Sequence, residues 1–365
     1  MRSAIRHMVQ EDRSAVEALY GRVFGSSALS QWRRRYDWQY LRNPAARIRG
    51  SQMWVGVKDD RVVAFLSSFP VRLKTPAGQT AVLCPGDLMV ASEARGDGLG
   101  ERIVQAYTSE AGLLPHGLAY SAGGGRTFSR AGYRAVFAQP AYVRPLQAKP
   151  VVGESVRRYL PAWLRWLAPI LAPAAQGVTL LANAARSPGA TRGLTVEVDP
   201  EIGDDFDRLW SSAAEEIPFV FVRDAAAVAW RYRDDPLIRH TILAVREASG
   251  ALLGWAALCQ VERGGVQVGK IMDLFCAPSR AADVVRSVMP AIIEQCKLRG
   301  VDIIAGKGLF PPIRSELRRY LYLTPPGHEL PALLMWVGDA ALTDIAYGAS
   351  NWHLAHGDGD EDFAP

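Results

Sequence analysis

The chain has only four cysteines in 365 residues (Cys84, Cys259, Cys276 and Cys296), and none lies near another. That spacing excludes a disulfide framework and a zinc site built on paired thiols, and a reducing cytoplasm fits best. The six histidines (His7, His116, His240, His328, His353 and His356) lack ligand spacing, so no metal site is expected. Met1 to Asp12 carries charges throughout and has no signal-peptide core. No bilayer-length apolar run is free of breakers: Tyr159 to Ala185 has Arg165 as its only charge, but Pro161, Pro169 and Pro173 interrupt it. It reads as a helical connector, with an interfacial helix led by Trp163 and Trp166 as the alternative; no membrane partner is expected. The Gly-Lys-Ser/Thr ending of an ATP-binding P-loop is absent, and so is GxGxxG spacing. Charge of one sign is also scarce. Lys plus Arg is 42 and Asp plus Glu 37, a net +5 that permits an anionic ligand without selecting one.

What the chain does contain is a repeat. Trp38-Gln39-Tyr40-Leu41-Arg42-Asn43-Pro44 reappears 192 residues later as Trp230-Arg231-Tyr232-Arg233-Asp234-Asp235-Pro236. Two strand-like runs follow each motif: Met53 to Val57 and Val62 to Phe69, then Ile242 to Val245 and Leu252 to Leu258. Short turns (Asp59-Asp60, Ser249-Gly250) mark each pair as a hairpin. Gly86-Asp87-Leu88-Met89-Val90-Ala91 then matches Met272-Asp273-Leu274-Phe275-Cys276-Ala277, 186 residues on, with the lost residues placed near Thr75 to Gln79. A helix follows in each half (Gly98 to Gly112, Ala281 to Arg299), then a strand (Leu118 to Ser121, Asp302 to Ala305). These markers predict two copies of one α/β unit. The boundaries expected are 1–149 and 194–350, joined by a helical, proline-rich linker at 150–193 and ending in an acidic, solvated tail at 351–365.

The sharpest local signal is Arg95-Gly96-Asp97-Gly98-Leu99-Gly100, between the apolar strand Leu88-Met89-Val90 and a helix that continues through Glu101. The first N–H groups of a helix lack internal partners and carry the positive end of its dipole. Glycine lets an anion approach that backbone and permits positive φ. A turn without a ligand is the alternative. In the second copy Asp273-Leu274-Phe275 is followed by Pro278-Ser279-Arg280-Ala281, without glycines, which argues against a second anion site.

The Arg-x-x-Gly-x-Gly pattern after an apolar strand resembles the acetyl-CoA motif of the GNAT acyltransferase superfamily. Ser129-Arg130-Ala131-Gly132-Tyr133 resembles its later Gly-aromatic motif. The likeness covers about Met1 to Arg144, and the two-copy layout resembles tandem GNAT proteins and the Fem-type aminoacyltransferases. It implies an α/β (α+β) fold of two acyl-CoA N-acyltransferase domains, each a mixed, mostly antiparallel sheet flanked by helices. It further implies that acetyl-CoA or another acyl-CoA lies on Leu88, Met89, Val90, Arg95, Gly96, Asp97, Gly98, Leu99, Gly100 and Glu101. The acyl group would pass directly to the amine of a small molecule, an amino sugar or amino acid derivative.

Asp87, just before the cofactor strand, is the expected general base or the group ordering a base water; capping a turn or attracting the amine are its alternatives. The family's acid tyrosine falls at Phe128, which cannot donate a proton, so Tyr120, Ser121 or solvent serves instead, or the leaving thiolate is protonated later. Two rival functions remain at this point: a Fem-type enzyme using aminoacyl-tRNA, the one reading that needs a nucleic-acid partner, and an acyl-CoA-binding protein without catalysis. Trp38, Tyr40, Trp230 and Tyr232 read as packing residues or as lining for an acceptor groove. Cys84 reads as a buried small hydrophobe.

Overall fold

Both polar turns close hairpins for the backbone reason their residues suggest. Asp59 and Asp60 both adopt left-handed conformations (φ 49° and 59°), which matches strand twist, and Gly250 sits at φ 87°. The computed structural model describes residues 3–110, 113–115, 122–135, 141–148, 168–186, 191–323, 334–337 and 340–359, with isolated positions between 150 and 166.

The first copy runs β1 (Ser3–His7), α1 (Arg13–Phe24), α2 (Ser26–Tyr36), β2 (Gln52–Lys58), β3 (Arg61–Thr75), β4 (Gly78–Val90), α3 (Leu99–Thr108), β5 (Leu113–Pro115), α4 (Ala122–Arg130), β6 (Arg134–Ala135) and β7 (Ala141–Pro145). The connector contributes α5 (Ala168–Ala185). The second copy runs β8 (Leu194–Val198), α6 (Asp204–Ala213), β9 (Phe219–Phe221), α7 (Ala225–Val228), β10 (Thr241–Glu247), β11 (Leu252–Arg263), β12 (Val266–Cys276), α8 (Ala281–Leu298), β13 (Ile303–Lys307), α9 (Pro311–Leu317), β14 (Tyr322–Leu323), β15 (Leu334–Val337), α10 (Ala340–Ala346) and β16 (Trp352–His353). The hairpins expected, one in each half, are β2–β3 and β10–β11, antiparallel throughout. The shorter hairpin β11–β12 accounts for the residues lost between markers. The strand expected at Leu118 to Ser121 lies outside the described residues, and α3 ends at Thr108 rather than Gly112.

The copies exchange their last strands. β7 of the first copy is hydrogen-bonded between β13 and β14 of the second. β15 of the second copy lies between β5 and β6 of the first. The result is a seven-stranded sheet in the order β14-β7-β13-β12-β11-β10-β8 and a three-stranded sheet β5-β15-β6. A further sheet, β1-β2-β3-β9-β16 with β4 on β3, also borrows β9 and β16 from the second copy. Within the seven-stranded sheet only β12–β13 is parallel, as expected for a mixed, mostly antiparallel architecture.

The repeated aromatic motif marks the joint. Asp37–Leu41 and Ala229–Arg233 each form a π-helical turn, a rare element that recurs at the same place in both copies. Trp38 and Trp230 stack at 4.9 Å and 20°. Each indole N–H donates to the other's backbone carbonyl, at 2.7 and 2.9 Å. Residue i meeting its own repeat mate in both directions is the signature of an isologous contact. Aromatic stacking adds about 0.5–1.5 kcal/mol beyond area burial. These tryptophans are packing residues of the joint.

The tail differs from expectation. His356 and Gly357 are buried, and Asp358 is drawn inward because Arg223 donates to it at 2.7 Å. An ion pair and the closing strand β16, parallel to β9, hold this segment against the core. Among the described residues no helix is long and apolar enough to cross a membrane.

Candidate functional site

After β4 the chain makes a short 3-10 turn, Ser92–Ala94, and then enters the glycine loop. Gly96 (φ 95°) and Gly98 (φ 72°) occupy the left-handed region, where a side chain is strained, and Gly98 is the N-cap of α3. A Cβ built on either would meet nothing within 4 Å, so the space before this helix end is open. That space is a cavity of about 230 Å³ lined by Val90, Arg95, Gly96, Gly98, Leu99, Gly100, Glu101, Thr127 and Arg130, among others. Free helix N–H groups, two arginines and two glycines without Cβ atoms suit a diphosphate in size and sign. Gly100 has a different part: its Cβ would sit 3.5 Å from Thr127 and Val90, in ordinary contact.

The expected residues are therefore brought together, with qualifications. Asp97 turns aside to an ion pair with Lys58 at 2.6 Å. Met89 is buried in the core, so only its backbone faces the β4 edge. β4 pairs with β3 (Leu88 with Leu66, Val90 with Ala64), and among the described residues its other edge has no strand partner. Arg130 and Thr127, from α4, were not foreseen as lining. The signal for Arg130 was present in Ser129-Arg130-Ala131-Gly132-Tyr133, where Gly132 (φ 98°) terminates the helix and aims its last turn. Phe128 is buried and packs edge-on against Tyr133, at 4.9 Å. Tyr120 and Ser121 lie outside the described residues.

Asp87 is the hub of a buried network. Arg35 donates to Oδ1 at 2.7 Å, Tyr20 donates to Oδ1 at 3.0 Å, and Tyr40 donates to Oδ2 at 3.1 Å. A carboxylate offers about four lone-pair sites, so roughly one is left on Oδ2. The phenols of Tyr20 and Tyr40 are pushed well up, by burial first and by the Asp87 charge second. They are donors, not bases.

The second copy builds the same hub with different surroundings. Arg223 donates to Asp273 at 2.8 Å and Tyr232 donates to the same oxygen at 3.1 Å. Asp358 takes a second guanidinium N–H of Arg223, and His353 Nε2 approaches Asp273 Oδ1 at 3.4 Å. Burial alone would raise Asp273, but Arg223 and His353 override it and hold the carboxyl at about 2. Neither arginine, nor His353, was recognisable beforehand as a partner. Between the copies lies a cavity of only about 60 Å³, bordered by Phe69, Arg72, Arg223, Tyr232 and Asp358, well below ordinary small-molecule pockets.

At the second helix entrance the glycine loop is missing altogether. The 3-10 turn Pro278–Arg280 runs straight into α8, with nothing corresponding to Arg95 to Gly98. The Ser279 N–H and hydroxyl donate to the two oxygens of Glu216, at 3.0 and 2.8 Å. A carboxylate of the chain itself is thus held at the 3-10 turn that precedes the second helix.

The two copies share a GNAT-like fold, with the glycine loop in the first of them. Residues 4–133 match the family described as the acetyltransferase (GNAT) domain. No curated protein matches the chain in sequence. Among solved structures, a GCN5-related N-acetyltransferase from Anabaena variabilis is similar at TM-score 0.59 and 13% identity, over 93% of this chain and 73% of that one. N-myristoyltransferase of Saccharomyces cerevisiae, with bound myristoyl-CoA, reaches TM-score 0.55 at 12% identity, over 92% and 82%. A tandem GNAT protein from the clavulanic acid biosynthesis pathway reaches 0.51 at 14%, over 93% and 99%.

Proposed function

We propose that the chain is an acyl-CoA-dependent N-acyltransferase whose single donor site is the glycine loop of the first copy. One observation carries this reading: Gly96 and Gly98 open an uncharged backbone cradle at the N-terminus of α3, with Arg95 and Arg130 at its rim. Bound acyl-CoA supplies an acyl group activated as a thioester. The backbone from Gly96 to Glu101 would hold its diphosphate, and the free edge of Leu88 to Val90 would align its arm. Asp87, with one lone-pair site left, would accept a hydrogen bond from the acceptor amine and assist its deprotonation. Tyr120 and Ser121 are assigned to the leaving-group side by sequence position alone. The acceptor is a small-molecule amine such as an amino sugar or amino acid derivative, and acetyl-CoA is the simplest donor. The division at 1–149 and 194–350 stays as the functional one, with the donor in the first unit and a wall of the acceptor cleft from the second.

An aminoacyl-tRNA donor has no use for a diphosphate cradle, so the Fem-type reading is set aside. The test is a calorimetric titration with CoA, joined to turnover across an amine panel. One site per chain is expected, and Asp87→Asn, assayed where it is folded, should lower kcat by ~10²–10⁴-fold with CoA affinity kept. Two equivalent sites, or none, would overturn the donor assignment; full turnover by Asp87→Asn would overturn the base.

A further inference from the structure

α5 is inside out. Its 18 residues contain no charge, and its polar side chains face the protein. Gln176 Oε1 accepts the Ala148 N–H at 2.6 Å, and Asn183 Nδ2 donates to the Pro145 carbonyl at 2.6 Å. Buried Arg144 donates to the Asn183 and Arg186 carbonyls, so the helix end is tied to β7. About half a turn away, on the other side, stand Ile170, Val178 and Leu181, with Leu171 beside them and exposed Leu180 at the edge of the groove. Val178 is 67% exposed and Leu181 76%. Trp163 and Trp166 are exposed just before the helix. Leu298, at the end of α8, extends the patch across a groove that also contains Leu180 and Ala184. A helix on a protein in water normally shows the reverse pattern. An exposed apolar face of this size marks a binding surface.

Charge says what covers it. Residues 150–193 hold five arginines (Arg157, Arg158, Arg165, Arg186, Arg192) and one acid, Glu154, in a chain whose whole net charge is +5. Lys297 and Arg299 flank Leu298, with Glu294 the acidic residue nearby. An uncharged aliphatic face, tryptophans just before it, an arginine-rich connector sequence and Lys297 beside the groove together fit the interface of an anionic bilayer. Pro173 and the helix length make it lie on the surface rather than cross it. We infer that the outward face of α5 docks the protein on anionic lipid membranes. Arg144 and Asn183 grip the helix from within so that this face stays outward. This departs from the expectation of no membrane partner, which rested on sequence alone and could not tell which side of the helix faced out.

The test is flotation of the full chain with phosphatidylcholine vesicles, with and without phosphatidylglycerol. Binding to the anionic vesicles is expected, weakened by salt, and reduced roughly tenfold or more by Val178→Glu with Leu181→Glu. Both positions are exposed, so the unfolding midpoint should hold; a second variant, Trp163→Ser with Trp166→Ser, should weaken binding in the same direction. Absence of binding to either vesicle by the unmodified chain would overturn the inference. So would sedimentation showing a stable dimer that the glutamate variant dissociates, because the occupant would then be a second copy.

Discussion

The entrances to α3 and α8 occupy the same place in the two copies, and a 3-10 turn leads into each. Before α3 four further residues intervene, two of them glycines at positive φ, and the space beyond is open. Before α8 those residues are gone, and the Ser279 N–H of the turn is taken by Glu216. The two copies thus differ in a loop while sheet, helix and a buried Asp–Arg hub are common to both. The hubs differ as well: among the described residues Arg35 pairs with the Asp87 carboxylate, whereas Arg223 holds two carboxylates and has a histidine beside them.

The largest effect should come from that last difference. Arg223→Met leaves Asp273 and Asp358 buried together without their cation, whereas Arg35→Met leaves Asp87 alone and partly accessible. Breaking a buried pair costs about 3–5 kcal/mol, so Arg223→Met should reach the upper end and Arg35→Met the lower. Urea unfolding at neutral pH measures both. A loss for Arg35→Met equal to or above that for Arg223→Met would mean the second carboxylate adds nothing.

Next in size is the contrast between the helix entrances. Gly98→Asp puts a carboxylate where the diphosphate should lie and strains a left-handed residue. Juxtaposed like charges cost several kcal/mol, so CoA affinity should fall about 100-fold or more. Ser279→Asp, at the second entrance, should leave affinity and stoichiometry unchanged. If Ser279→Asp weakened CoA binding and Gly98→Asp did not, the donor site would belong to the second copy.

Much of this was legible in the residues. The repeat, both hairpins and the glycine loop follow from periodicity and from Gly, Asp and aromatic spacing, whereas the mixed-sheet class comes from the family resemblance. The Trp-x-Tyr motif pointed to packing, and Trp38 and Trp230 pack on each other. The hub arginines were hidden because the copies draw them from different elements: Arg35 ends α2, while Arg223 follows β9, so no constant offset links them. The strand exchange was hidden for another reason. The short strands at 141–145 and 334–337 show that they belong in a sheet, and their side chains do not say whose. Asp358 read as solvated because an acidic terminus carries no sign of the buried guanidinium that claims it.

The smallest expected effect separates the hubs by pH. His353 Nδ1 accepts the Phe310 N–H at 3.3 Å, which puts its proton on Nε2, facing Asp273 Oδ1. Burial first, and Arg223 second, push its pKa below the usual histidine range, although Asp273 and Asp358 pull the other way. The unfolded chain, with a histidine near 6.5, therefore binds a proton more readily than the folded one in that range. The stabilisation is complete above about 6.5 and is lost as pH falls from there through the folded value, with a slope of at most about 1.4 kcal/mol per pH unit. Asp273, held at about 2, contributes with the same sign but loses its share only in stronger acid. Asp358, raised by burial, has the opposite sign: its share is present at low pH and declines as pH rises through its folded value. Comparing each protein with its own variant removes these common terms. Between pH 7.5 and 5.5 the native chain should lose about 1 kcal/mol more than His353→Gln, by urea unfolding at each pH. The Asp87 hub is built from arginine and two tyrosines, with no histidine among its described partners, so Tyr40→Phe should leave the slope unaltered. An identical slope in native chain and His353→Gln would mean that folding leaves the His353 proton affinity unchanged, and the histidine would then add no pH dependence to the second hub.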